Sequence, residues 1–374
     1  MREADAAPGA GPEPVRILMD NDTGIDDALA LAYLAACPHV DLVAVTSSPG
    51  NVGTAQVAAN NRALLALCGR AGVPVLTGAE TPLQLRLVTT PETHGPQGLG
   101  HAVLDPVPPP QAGPGAVPGD AVARWVEAAR AEPGRLTALL TGPLTNFALA
   151  LRAEPRLPWL FKRVVIMGGA FYHQGNTTPT AEWNTHVDPH AAREVHAAYA
   201  RAAEEGLDPD RLPVLCPLDA TERFEMRPAF LAELAREAGC PEPEHVADGQ
   251  PDGLPSRAAN PLVRHLSDAL RFYFEFHRDY DQGYIAHVHD LFAAGVAAGT
   301  MAYRTRPAAV DVETESSLLL GTTVADFRGL WGRAPHAHVV EWNDPEAGFA
   351  DAVRRLGLLA RRIDGTRPDR SRIG

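Results

Sequence analysis

The chain has 374 residues, 45% of them hydrophobic and 21% charged, with a formal net charge of −13. Those values allow a large buried core and argue against a nucleic-acid partner, since phosphate binding needs a basic footprint. No apolar run approaches the roughly 20 residues of a membrane helix, so no membrane partner is expected either. Residues 1–14 are rich in Ala, Gly and Pro with no apolar stretch, and are expected to be a disordered lead-in without signal-peptide character. Cys37, Cys68, Cys216 and Cys240 are scattered and form no CxxC pair, which fits free thiols in a cytoplasmic protein. Lys162 is the only lysine, so a phosphate loop of the Gly-x-x-x-x-Gly-Lys type is excluded.

In chain order, a strand is predicted at 16–19, a helix at 27–36, a strand at 41–46 and a long amphipathic helix at 52–67. Helices at 121–131, 144–152, 189–198 and 229–237 then alternate with strands at 136–140, 163–167, 213–216 and 308–312. Such alternation predicts one α/β domain over 15–363, with a mostly parallel central sheet flanked by helices. The 106–118 stretch, rich in Pro and Gly, reads as loop, 240–261 as a long loop insertion, and 364–374 as a tail.

The segment Ile17-Leu-Met-Asp20-Asn-Asp22-Thr-Gly24-Ile-Asp26-Asp27 runs an apolar strand into four aspartates, with Gly24 expected to supply the turn. Ligands of parallel sheets bind at strand carboxyl ends. Carboxylates crowded there repel unless protons or a cation compensate them, and an all-oxygen donor set favours a hard ion. Asp26 and Asp27 alone could simply favour the positive end of a helix, but that reading leaves Asp20 and Asp22 without a purpose.

This motif resembles the signature of the inosine–uridine nucleoside hydrolase family. Later blocks follow in the family's order: Val45-Thr-Ser-Ser-Pro-Gly-Asn51, Thr141-Gly-Pro-Leu-Thr-Asn146, Met167-Gly-Gly169, Asn176 with Glu182-Trp-Asn184, and His289-Asp290. The resemblance spans about 15–357 and implies hydrolysis of ribonucleosides to ribose and free base. It implies Asp22, Asp27 and Asp290 as carboxylate ligands of one Ca²⁺, with the Thr141 carbonyl as a backbone ligand. Asp22 would also act as general base on the Ca²⁺-bound water that attacks C1′. Asp26, Asn51, Asn176, Glu182 and Asn184 resemble the ribose ligands, and Met167 is placed in the same substrate site. The partner is then a small ribonucleoside, and a homo-oligomer of two or four chains is expected.

On the side of the departing base, His289 resembles the histidine of the branch that uses one as general acid, which leans toward pyrimidine or mixed preference. His94 resembles a second base-side histidine, although Pro96 and Gln97 depart from the family's polar or acidic pair. Tyr280 and Tyr284 stand near aromatics that close over the base. His173, His186 and His287 have no special claim. Taken singly, Asn51 could be a helix cap, Thr141 part of an ordinary turn, and Glu182 and Asn184 surface loop residues. Asp20-x-Asp22-Thr23 also resembles the nucleophile motif of haloacid-dehalogenase-like phosphatases, but Lys162 precedes its strand, at the wrong end for that site. A zinc site on His287-x-His289-Asp290 lacks a further spaced ligand. A non-catalytic relative, or one acting on an unusual riboside, is the remaining alternative.

Overall fold

The computed structural model describes residues 13–109, 120–242 and 244–365. The lead-in up to residue 12, the 110–118 part of the Pro/Gly-rich loop and residues 366–374 of the tail lie outside the described residues. Eleven strands are present among those described: β1 (Val15–Asn21), β2 (Val40–Ser47), β3 (Val75–Thr77), β4 (Leu136–Leu140), β5 (Arg163–Met167), β6 (Val214–Cys216), β7 (Glu225–Met226), β8 (Ala286–His287), β9 (Tyr303–Val312), β10 (Thr323–Asp326) and β11 (Ala337–Asn343). Nine of them form one sheet, in the order β10-β9-β11-β6-β5-β4-β1-β2-β3. From β11 to β3 every neighbouring pair is parallel, and only β9 and β10 run antiparallel. The mostly parallel α/β sheet expected from the alternation is therefore the architecture found.

Side chains of β1 alternate between the two faces of the sheet, as a pleat requires. Ile17 and Met19 enter the core shared with the Ile25–Ala36 helix, and Leu18 enters the opposite core with Trp125, Phe147 and Tyr199. Every residue of Ile25–Ala36 is buried, because other helices pack around it as well as the sheet. A helix apolar on all sides belongs in an interior. Here only Asp26 and Asp27, in its first turn, break that rule.

Several elements differ from expectation. The 52–67 helix begins at Thr54 with Gly53 as its cap, and the 189–198 helix extends as Pro189–Glu204. The Pro261–Asp279 and Pro345–Gly365 helices have no counterpart in the sequence reading, and neither do β3, β10 and β11. Arg304, Arg306 and Pro307 make the first half of β9 look unlike a strand, yet it pairs along its length with β11. The last helix reaches Gly365, and Asp364, assigned to the tail, accepts a hydrogen bond from Asn260. The described part of 240–261 has no helix or strand before Pro261, and it packs against the Pro261–Asp279 helix through Ser256–Asp268 and Gly253–Glu275 contacts. None of its described residues lines the cleft described next.

Candidate active site

β1 runs into the Ile25–Ala36 helix through Thr23 and Gly24. Thr23, not Gly24, carries the positive φ, at 27°, and its hydroxyl donates to Asn61 at 3.0 Å. Asn61 and Asn21 exchange two amide hydrogen bonds, of 2.9 and 2.7 Å, which fix the strand end beneath it. A residue with a Cβ pays about 1 kcal/mol or more for such a backbone, so the buried amides have to hold it. Gly24 is extended and is required for a different reason. A Cβ there would come within 2.7 Å of the Asn51 amide and 2.8 Å of the His94 ring.

The four aspartates divide their tasks. Asp20 is turned away from the cleft: Thr46, Ser48 and Asn146 donate to its carboxylate and tie β1 to β2 and to the Thr145–Ala153 helix. Burial nevertheless pushes it up to about 6. Asp27 accepts from its own helix cap, Gly24 N, at 2.8 Å and from Thr141 Oγ1 at 2.7 Å. The helix-start reading is thus part of its role, and the rest is given by its neighbours. Ligating oxygens of Asp26, Asp27 and Asp290 lie within 4.8 Å of one another, all buried. Asp290 arrives on the first turn of the His289–Ala298 helix, so two helix N-termini converge on the cluster.

Asp22 sits beside them at 1% exposure. Asn51 N donates to its Oδ2 at 2.8 Å, and Oδ1 is buried with no donor at all. Burial, and then the charge of Asp27, hold Asp22 well above the ordinary carboxylate range. Asp290 is raised in the same way, by burial and then Asp26, and Asp26 is pushed up to about 7 by burial and then Asp27. Carboxylates this close and this dry call for a cation, and an orphaned oxygen beside three converging ones provides hard, all-oxygen donors for it.

Asp22 and Asp26 open into a cleft of about 490 Å³ at the carboxyl end of the sheet. Its sugar-sized end is lined by Asn51, Thr141, Met167, Asn176, Glu182 and Asn184. Asn184 Nδ2 donates to the Thr141 carbonyl at 2.8 Å and more loosely to the Met167 carbonyl at 3.3 Å. Glu182 caps the Trp183–Val187 helix, accepting from Asn184 N and Thr185 N, and it also accepts from Gly169 N. Glu182 and Asn184 are buried, not surface loop residues, whereas Asn176 is exposed and holds Trp183 N from the rim. Asn51 does not cap the following helix: its Oδ1 is a second buried oxygen without a donor.

The other end of the cleft is aromatic and rich in imidazole. His94 Nδ1 accepts from Ile25 N at 3.1 Å, which leaves the proton of the neutral ring on Nε2. Burial takes His94 down to about 3, and burial likewise lowers His277 to about 4. His289 Nδ1 meets Thr221 Oγ1 at 2.8 Å, and burial, then the neighbouring imidazoles, keep its pKa well below 6.5. Tyr280 lines the cleft, while Tyr284 packs on Phe274 instead. The sequence reading missed Glu222, Tyr273, Phe276 and His277, and gave His173 and His287 no role, yet all six line this end. Three come from the unrecognised Pro261–Asp279 helix, where positions 273, 276 and 277 follow a helical spacing that was legible in principle.

Among the described residues no Lys or Arg lines the cleft, and the grouping of metal-type ligands is one of carboxylates alone. Both facts, with Asp20 facing away and Lys162 ahead of β5, disfavour a phosphatase and a zinc centre. An oxygen-rich, carboxylate-lined sugar site beside an imidazole-lined one is the arrangement of a hydrolase that cuts between a ribose and a base. The family model for inosine-uridine preferring nucleoside hydrolases matches residues 17–350. The pyrimidine-specific ribonucleoside hydrolase RihA of Salmonella paratyphi B is 33% identical over 349 residues, covering 93% of this chain and 97% of the relative. A solved plant nucleoside hydrolase, PpNRh1, superposes with a TM-score of 0.75 at 26% identity, covering 92% of this chain and 99% of its own. The fold is shared too with a purine-preferring ribonucleoside hydrolase from Gardnerella vaginalis, at 23% identity and a TM-score of 0.78, covering 93% and 99% of the two chains. The chain belongs to the inosine-uridine preferring nucleoside hydrolase family, and it is a ribonucleoside hydrolase acting on N-glycosyl compounds.

Proposed function

We propose that the protein hydrolyses pyrimidine ribonucleosides to ribose and free base, with Asp22 as general base and Ca²⁺ as its cation. The observation that carries this reading is the Asp22 carboxylate: one oxygen is fixed by Asn51 N–H, and the other is buried, without a donor, at the cleft. A carboxylate raised by burial is basic enough to take a proton from water near neutral pH. Asp22, Asp27, Asp290 and the Thr141 carbonyl would hold the ion. When bound, Ca²⁺ supplies orientation of the ribose diol and a lowered pKa for the attacking water.

Asp26, Asn51, Asn176, Glu182 and Asn184 would receive ribose hydroxyls, with Met167 beside Asn184 against the sugar. Anions around the ring stabilise the positive charge that develops as the bond to the base stretches. His289 would meet the departing base, and His94 would present its Nε2 hydrogen to it. Pyrimidine preference is supported by these histidines together with the 33% identity to RihA. A cleft without a basic residue favours nucleosides over nucleotides. Ribose release from uridine, cytidine, inosine, adenosine, guanosine and uridine 5′-monophosphate, with calcium and after chelation, tests the reading. Calcium-dependent release, fastest from the two pyrimidines and negligible from the monophosphate, is expected. Release that survives chelation would refute the cation's role.

A further inference from the structure

His287 differs from the other imidazoles of the base end in its partners. Its Nδ1 lies 2.9 Å from the Glu222 carbonyl, and its Nε2 lies 3.1 Å from Glu222 Oε2. A carbonyl only accepts, so Nδ1 must carry a hydrogen. A bare Nε2 would then point its lone pair at a carboxylate, whereas a protonated Nε2 forms an ion pair. Both contacts are satisfied together when His287 is an imidazolium and Glu222 is ionised. His94, His277 and His289 have no carboxylate partner: their ring nitrogens meet Ile25 N–H, the Tyr273 carbonyl and the Thr221 hydroxyl.

The surroundings single out the same ring. His289 stacks on His287 with centroids 6.0 Å apart and planes 25° apart, and His277 approaches edge-on at 5.2 Å. Across the β7–β8 pair His287 faces Glu225, whose carboxylate is bound by Arg227. Glu222 is therefore the acid left to hold a charge on His287. Thr221 and Glu222 are consecutive, so one short segment orients both His289 and His287.

We propose that His287, held protonated by Glu222, stores the proton that the departing base takes up, and that His289 passes it on. This rests on the leaving-group assignment of His289 made above. As the C1′–N bond breaks, its electron pair goes to the base nitrogen, which gains one proton through His289. His289 accepts and gives one proton and is unchanged. His287 ends neutral, keeping its Nδ1 hydrogen on the Glu222 carbonyl, and solvent restores the proton. His287 acts through His289 and is thus a positioning and relay residue.

Nitrogen-15 NMR of histidine-labelled protein at pH 7, with the His287 signal assigned by its loss in His287→Gln, tests the resting state without relying on turnover. Both ring nitrogens of His287 are expected to be protonated, and Glu222→Gln is expected to return the ring to a neutral form. A neutral His287 in the wild type overturns the proposal, whatever the enzyme's activity. The relay itself is read from kcat against pH on uridine and on an aryl riboside whose leaving group needs no proton. His287→Gln should lower kcat on uridine about 100-fold, the low end for a positioned proton donor. The loss on the aryl riboside should be much smaller. Glu222→Gln should move the alkaline limb on uridine down by about one pH unit, and Glu222→Asp should recover part of it. Equal losses on both substrates, or an unmoved alkaline limb, would overturn the relay. Absence of ribose release from uridine by the wild type would instead strike at the substrate assignment.

Discussion

Asp22 Oδ1 is a buried carboxylate oxygen without a donor, and leaving such an atom unpaired costs about 1–3 kcal/mol or more. The fold keeps it in place by close backbone approach. Gly50 lies so near that a Cβ there would sit 2.0 Å from Asp22 Oδ2. Gly50→Ala is therefore expected to displace the carboxylate and lower kcat more than Tm, measured by ribose release and calorimetry. Asp22→Asn keeps the shape but removes the base, and should cost about 10³-fold in kcat. An unchanged rate in Asp22→Asn would remove it from the mechanism. Because the sugar end is lined by buried amides and carboxylates, 2′-deoxyuridine should be disfavoured by about 10⁴ in kcat/KM relative to uridine, since its missing hydroxyl leaves those groups unpaired.

The strand–turn–helix element carrying Asp20 to Asp27 was legible in the sequence, since its residues are contiguous and its apolar-to-acidic switch marks a strand end. So was the order of the parallel strands, which follows from alternation. What sequence could not assign was the division of tasks. Asp20 and Asp22 are two residues apart and face the same way along an extended strand, yet one binds Thr46, Ser48 and Asn146 and the other the cleft. The imidazole end was illegible for a different reason: Glu222, His277 and His287 lie on three separate elements, and only the tertiary fold brings them together. The Pro261–Asp279 helix escaped notice because Arg264, His265, Arg271 and Glu275 interrupt its apolar spacing, although three of the four are buried. Tyr33 joins the first helix to the last, with its hydroxyl 2.6 Å from both Asp351 Oδ2 and Thr300 Oγ1. Tyr33→Phe should cost about 1–2 kcal/mol of stability by denaturant titration while leaving calcium affinity unchanged.

Across the whole molecule, clustered acids link stability to pH and to the cation. Asp26 and Asp20 titrate near 7 and 6 in the folded chain against 3.8 as model groups. The folded state thus binds protons more tightly than the unfolded state, and chelated protein should lose stability as pH rises from about 4 through 7. Calcium should raise Tm at pH 8 and much less at pH 5, with about 2.7 kcal/mol of stabilisation at a hundred times its Kd. Differential scanning calorimetry across that range checks the sign. A chelated Tm that climbs between pH 5 and 7 would contradict the burial argument.

The packing of the Ile25–Ala36 helix against the Pro345–Gly365 helix also bears on how the protein is made. The acidic motif is synthesised within the first thirty residues, but its helix cannot be enclosed until the far end of the chain has left the ribosome. During translation that apolar helix waits with its first-turn acids unneutralised by neighbours such as Asp290's helix. A nascent chain arrested before residue 345 should therefore remain protease-sensitive and unable to retain calcium, so that activity appears only with the final two dozen or so residues of synthesis.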